Sequence, residues 1–173
     1  MTPRGLAFFE TAIGACGIAW SEGGVVSVQL PERDTAATRA RLRVRCDGAR
    51  ETVPPAGVQL AIDAIVSLLA GEPADLSFVA LDMEGVPDFH RRVYEVARTI
   101  PPGATLSYGE IAARLGDPGS ARAVGQALGR NPFPIVVPCH RVLAARGRTG
   151  GFSARGGTKT KLTLLAIEGA QLF

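Results

Sequence analysis

Three apolar residues, Ile135-Val136-Val137, run into Pro138, and the chain then presents Cys139, His140 and Arg141 in succession. The apolar run reads as a buried strand, and the proline limits what can follow it. Pro138 has no amide hydrogen and interrupts a continuing ladder, so the backbone is expected to leave strand geometry where Cys139 begins. Successive side chains of a regular strand point to opposite faces, which would part Cys139 from His140, whereas a turn brings both into one pocket. A cysteine attacks as its thiolate, yet an ordinary thiol with a pKa of about 8.5 is little ionised near neutrality and needs help. His140 is the candidate proton acceptor.

The 173 residues, 46% hydrophobic and 20% charged, are enough for a real core and for one or two small domains of a globular protein. The amino terminus lacks the pattern of a secretory signal, and the most apolar stretch, Val58 to Ala70, is interrupted by Asp63. A cytoplasmic protein with no membrane segment is expected. Cys16, Cys46 and Cys139 form no pairing framework and no close metal spacing, which fits a reducing compartment. Cys16 reads as a buried small hydrophobe and Cys46, after a basic run, as exposed. Neither makes a ligand set with His90, so no metal is expected. The net charge of +3 and the pI of about 9.1 fit either a polyanionic partner or a solvated basic face.

Residues 1 to 85 read as a small α/β domain. Cys16 to Trp20 and Val25 to Leu30 are apolar runs separated by Ser21-Glu22-Gly23-Gly24, a hairpin pattern. Asp34 can cap a helix through Arg39 to Arg41, but the alternation of Arg39, Arg41, Arg43 and Arg45 fits a strand equally well, and this segment stays open. Val58, Ile62, Ile65, Val66 and Leu69 share a helical face that ends near Gly71. Leu76 to Leu81 reads as a strand, and Asp82 to Pro87 as a link.

Residues 86 to 173 read differently. Phe89, Val93, Val96, Ala97 and Ile100 form a helical stripe stopped by Pro101-Pro102-Gly103. Ser107-Tyr108-Gly109-Glu110 has the spacing of a capping box and opens a helix carrying Ile111, Ala112 and Leu115. Asp117-Pro118-Gly119 turns the chain, Ser120 can cap a second helix, and Ala123, Val124, Ala127 and Leu128 continue it to Gly129. Two short helices so joined fit a helix-turn-helix, and also ordinary helical packing. Arg122, at the start of the second helix, is placed either to contact DNA or to remain a surface charge. Glu168, near a helix end, opposes the helix dipole; it is either solvated or matched by a cationic or hydrogen-bonding partner.

Ser107-Tyr108-Gly109-Glu110, Ala121-Arg122-Ala123-Val124-Gly125, Asn131-Pro132, Pro138-Cys139-His140-Arg141-Val142 and Glu168-Gly169, in this order, resemble the O6-alkylguanine-DNA alkyltransferases, also called methylated-DNA protein-cysteine methyltransferases. The resemblance is strong over residues 87 to 170 and loose before them. It implies an α+β protein: a small N-terminal α/β domain of ribonuclease H-like type, then a mostly helical, winged-helix or helix-turn-helix domain that binds DNA and accepts the alkyl group.

By the same resemblance, Cys139 takes the alkyl group from guanine O6 irreversibly and once per molecule, His140 is its base through an ordered water, and Glu168 orients the histidine. Tyr108 protonates guanine N3 and disturbs the adjoining phosphate. Asn131, Val142, Phe152 and Ser153 surround the base, with Asn131 also a hinge. Arg122 fills the gap left by the flipped nucleotide, and Ser120, Ala121, Ala123 and Gly125 join Tyr108 and Arg122 on the minor groove. No cofactor is implied, since the protein is itself the acceptor. The implied partner is double-stranded DNA containing O6-alkylguanine, with O4-alkylthymine a second substrate class, and the implied state is a monomer.

The loop Phe152-Ser153-Ala154-Arg155-Gly156-Gly157 departs from the common pattern of the family and sets Arg155 beside the expected pocket, as a phosphate contact or a limit on bulky alkyl groups. Three rivals remain. A Cys-His thiol hydrolase needs an oxyanion hole and a cleft that the sequence does not show. A non-catalytic binder of alkylated DNA has no use for Cys139. A helix-turn-helix regulator lacks a dimerisation helix here.

Overall fold

The computed structural model describes residues 2–145 and 148–171. The chain divides into two compact units, Met1–Gly85 with Pro132–Val136, and Val86–Asn131 with Val137–Phe173.

In the first unit, strands β1 (Gly5–Thr11), β2 (Gly14–Ser21) and β3 (Gly24–Gln29) form an antiparallel meander, and the short β4 (Arg50–Glu51) pairs parallel to β1, giving the sheet order β3-β2-β1-β4. The turn into β3 requires glycine: Gly24 has φ +133°, and a Cβ there would lie 2.5 Å from the Ala80 carbonyl oxygen. Helices α1 (Thr35–Arg45) and α2 (Ala56–Leu69) follow. The open choice over the arginine run resolves as helix. Asp34 accepts from the Ala37 amide at 2.8 Å, a cap that contributes about 1 kcal/mol, and Thr38 and Leu42 bury one face. Arg39 and Arg43, one turn apart, converge on Glu51. Leu42 and Cys46 pack with Leu6 and Ala19. Cys46 is therefore buried, against the expectation from its basic flank, because it closes the last turn of α1 over that cluster.

Two expected strands are absent. Leu76 to Leu81 contributes one bridge, Leu81 to Val25, because Ser77 and Val79 turn back on Asp75 and Leu76. Ile135 to Val137 are all buried, as their apolar character demands, but the segment is not a strand. Pro132, Pro134 and Pro138 around it lack amide donors, and Ile135 sits at φ +75°, a left-handed conformation that costs a β-branched residue about 1–3 kcal/mol.

In the second unit, α3 (Asp88–Ala97) is followed by β5 (Leu106–Ser107), α4 (Tyr108–Arg114), a 3-10 turn at Pro118–Ser120 and α5 (Ala121–Gly129). A second 3-10 turn, Cys139–Arg141, leads into β6 (Val142–Leu143), which pairs parallel to β5, and α6 (Thr158–Ile167) ends the described elements. Ser107 Oγ accepts from the Glu110 amide at 3.0 Å and so starts α4. Ser120 does not cap α5 with its side chain. The intervening 3-10 turn points its hydroxyl backward, where it donates to the Asp117 carbonyl at 2.7 Å. Arg92 of α3 donates to the Leu115 carbonyl at the end of α4, and the buried Tyr94 hydroxyl donates to Ala127 of α5 at 2.7 Å. These bonds fix both short helices on α3, which each is too short to achieve alone. Among the described residues, no helix is long and apolar enough to cross a membrane.

Candidate active site

Pro138 ends the preceding segment, and the 3-10 turn that follows carries Cys139, His140 and Arg141, all buried. The turn avoids the strict alternation of a strand, which would send Cys139 and His140 to opposite faces. His140 and Arg141 both meet Glu168, delivered by the C-terminal end of α6. His140 Nε2 lies 2.9 Å from Glu168 Oε2, while Arg141 donates through Nε to Oε1 at 2.9 Å and through Nη2 to Oε2 at 2.7 Å. The third arm of the guanidinium, Nη1, donates to the Ile100 carbonyl at 2.6 Å. Glu168 therefore has the cationic and hydrogen-bonding partners that its place at a helix end called for.

The charges fix the imidazole. Burial raises the Glu168 carboxyl, but hydrogen bonds from His140 and Arg141 and the charge of Arg141 outweigh it and hold the group at about 2. An ionised carboxylate only accepts, so the His140 hydrogen sits on Nε2. Burial, helped by the charges of Arg141 and Lys161, pushes His140 below the ordinary imidazole range and keeps it neutral. Its remaining nitrogen, Nδ1, is buried and has no hydrogen-bond partner. The ring is thus a base with one free lone pair.

Cys139 lines a pocket of about 710 Å³, which is in the range of small-ligand sites. Burial pushes its thiol up, so the resting group is protonated; the Asn131 side chain, the charge of Lys161 and the amides of Cys139 and His140 pull it back down. Asn131 also donates from Nδ2 to the Val137 carbonyl at 2.9 Å, tying the end of α5 to the residues that carry the thiol. The pocket walls include Tyr108, Ala121, Arg122 and Gly125 from the two short helices and Phe152 and Ser153 from the loop before α6. Tyr108 is a protonated phenol, raised by burial and by the neighbouring Cys139.

Of the residues expected from the sequence, Cys139, Tyr108, Arg122, Ala121, Gly125, Phe152 and Ser153 meet at this pocket, while His140 and Glu168 are buried and paired with each other. Arg122 is exposed on the first turn of α5. Asn131 and Val142 stand outside the lining, the first on Cys139 and the second buried with its carbonyl accepting from Lys161 at 2.6 Å. Ser120 and Ala123 are partly buried and do not line it. Nor does Arg155, which is exposed beyond Ser153.

Two functional side chains had no assigned role in the sequence reading. In the sequence Arg141 stands out only as a member of the Pro138-Cys139-His140-Arg141-Val142 string. Lys161 is fully buried on the same face of α6 as Leu164, Leu165 and Glu168, and a lysine on an apolar stripe at that spacing was the available signal. Among the described residues, no group of three or more His, Cys, Asp or Glu side chains is arranged to hold a metal.

Residues 88–170 match the family model described as the DNA-binding domain of 6-O-methylguanine DNA methyltransferase. The methylated-DNA–protein-cysteine methyltransferase of Methanothermobacter thermautotrophicus is 38% identical over 156 residues, covering 90% of this chain and 80% of that protein. The chain belongs to the 6-O-methylguanine DNA methyltransferase family. The enzyme of the same name from Mycobacterium bovis is 46% identical over 117 residues, 68% of each chain. Among solved structures, Mycobacterium tuberculosis OGT in complex with DNA is similar with a TM-score of 0.77 and 35% identity over 95% of this chain and 92% of that one. The O6-methylguanine-DNA methyltransferase of Pyrococcus kodakaraensis is similar at 0.72, with 29% identity over 95% and 99%. The activity is that of a methylated-DNA–protein-cysteine methyltransferase acting in DNA repair, and the α+β architecture agrees with these methyltransferase structures.

Proposed function

We propose that Cys139 is the alkyl acceptor, that the substrate is O6-alkylguanine flipped out of duplex DNA, and that residues 86 to 173 do both the binding and the chemistry. The observation that carries this is the pairing of a pocket-lining thiol with an adjacent neutral imidazole whose only free atom is a buried, unpartnered Nδ1.

The thiol proton passes to His140 Nδ1, directly or through a water, and the imidazolium so formed is stabilised by the Glu168 carboxylate on Nε2. The sulfur attacks the alkyl carbon as the carbon–O6 bond breaks, and the bonding pair leaves with guanine. Tyr108, held as a phenol at the pocket wall, donates its proton to N3 of the departing base. The product is a thioether with no leaving path, which makes the reaction stoichiometric. Extruding a nucleotide costs a few kcal/mol, and Arg122 on the first turn of α5 is placed to occupy the space left in the stack. One chain supplies every residue in this scheme, so a monomer suffices. Incubation with duplex DNA bearing O6-methylguanine, in wild type and in Cys139→Ser, tests the reading: the variant should retain binding and lose transfer.

A further inference from the structure

Among the described residues, Lys161 is a buried cation with no carboxylate in ion-pair contact. Its side chain is fully buried on α6, and its ammonium donates to the Val142 carbonyl at 2.6 Å and to the Gly151 carbonyl at 3.2 Å. It also lies 5.6 Å from the centre of the Tyr108 ring. The one buried carboxylate of the site, Glu168, is already matched by Arg141 in a two-point ion pair. Counted by charge, Arg141 and Glu168 cancel, His140 is neutral, and Lys161 is left over. Two carbonyls soften the cost of burying an ammonium but do not neutralise it.

The group that completes the balance is Cys139. Cys139 lines the same pocket as Gly151 and Tyr108, the residues that the Lys161 ammonium bonds and faces, and while burial lowers Lys161 to about 8, the charge of the cysteine acts to raise it again. The influence is mutual, since Lys161 pulls the Cys139 thiol down.

Resting on Cys139 as the acceptor, we infer that Lys161 is the built-in counter-charge of the Cys139 thiolate, a positioning residue that makes ionisation of the buried sulfur possible at the pocket wall. His140 takes the proton; Lys161 supplies the positive field in which the sulfur anion exists until it attacks. The same ammonium ties the Gly151 loop to Val142 and steadies the face of Tyr108, so one side chain couples the charge of the nucleophile to the shape of the pocket. The titratable groups that act on it or on which it acts are Tyr108 from α4 and Cys139 and His140 from the 3-10 turn.

The test reads the ionisation of the sulfur without DNA. The rate of Cys139 alkylation by iodoacetamide is followed against pH in the wild type, in Lys161→Gln, which keeps a donor, and in Lys161→Met, which keeps neither donor nor charge. Both variants should shift the profile upward by about one unit or more and react about tenfold slower at neutral pH. A shift in Met alone, with Gln following the wild type, would reduce Lys161 to a hydrogen-bonded latch and overturn the inference, as would three coincident profiles. If these variants do not fold, Lys161→Arg, which keeps the charge, decides: its alkylation profile should stay with the wild type, and an upward shift in a folded Arg variant would refute the pairing. Transfer from methylated DNA by the wild type is the separate control: its failure would sink the assignment of Cys139, not the charge pairing.

Discussion

His140 and Glu168 are joined from Nε2 to Oε2 across 2.9 Å, with both side chains almost wholly buried, so the ring has one atom left with which to act. The carboxylate does not perform the chemistry. It selects the tautomer, and Arg141 on the same oxygen keeps the carboxylate charged.

Glu168→Gln tests that division directly. The amide no longer compels the hydrogen onto Nε2, and the buried Arg141 guanidinium loses its counter-ion. Single-turnover transfer from O6-methylguanine DNA should fall about a hundredfold or more, and urea unfolding should show a loss of about 3 kcal/mol. Affinity for undamaged DNA should hardly change. A variant that transfers at the wild-type rate would remove Glu168 from the account.

The same carboxyl predicts an acid transition. Its folded value of about 2 lies below the ordinary 4.5, so its contribution to stability is present above the ordinary range and is lost as pH falls from about 4.5 toward 2. Urea unfolding at stepped pH should show the wild type losing stability through this window more steeply than Glu168→Gln. Equal slopes would contradict the assignment.

Arg122 is predicted to act on the duplex rather than on the chemistry. Arg122→Ala should slow single-turnover transfer at saturating DNA by about tenfold or more, since the cost of holding a nucleotide out of the stack is a few kcal/mol. Reaction with free O6-benzylguanine should stay within about twofold of wild type. A variant that only binds DNA more weakly, with one phosphate contact fewer in its salt dependence, would make Arg122 a surface charge after all.

Gly150 offers a test of pocket shape. It has φ +70°, and a Cβ there would stand 2.6 Å from the Tyr108 hydroxyl oxygen. Gly150→Ala should therefore displace either the loop or the tyrosine, slow transfer from DNA by about tenfold and lower the melting temperature by a few degrees, since the left-handed backbone costs alanine about 1 kcal/mol. Unaltered kinetics would show that the contact is relieved without consequence.

What the sequence disclosed follows from how local each signal is. The caps at Asp34 and Ser107 act over three residues and were readable, as were the apolar stripes of α2 and α3. The arginine run was ambiguous because alternation of charge suits a strand, and the deciding fact, burial of Thr38 and Leu42 on one helical face, is tertiary. Ile135 to Val137 misled for a related reason: burial and strand share an apolar pattern, and the prolines around the run prevent the ladder. At the site, Cys139 and His140 were visible as neighbours, and Glu168 through the resemblance. Arg141 and Lys161 were not, because their roles depend on partners 27 and 19 residues away.

The most direct measurement of the central claim is the intact mass of the protein, with peptide mapping, after exposure to excess duplex DNA bearing O6-methylguanine. The account predicts one added methyl group per molecule, located on Cys139, and no further reaction however long the exposure. Repeated turnover of DNA by a protein of unchanged mass, or a methyl group on Cys16 or Cys46 instead, would contradict it.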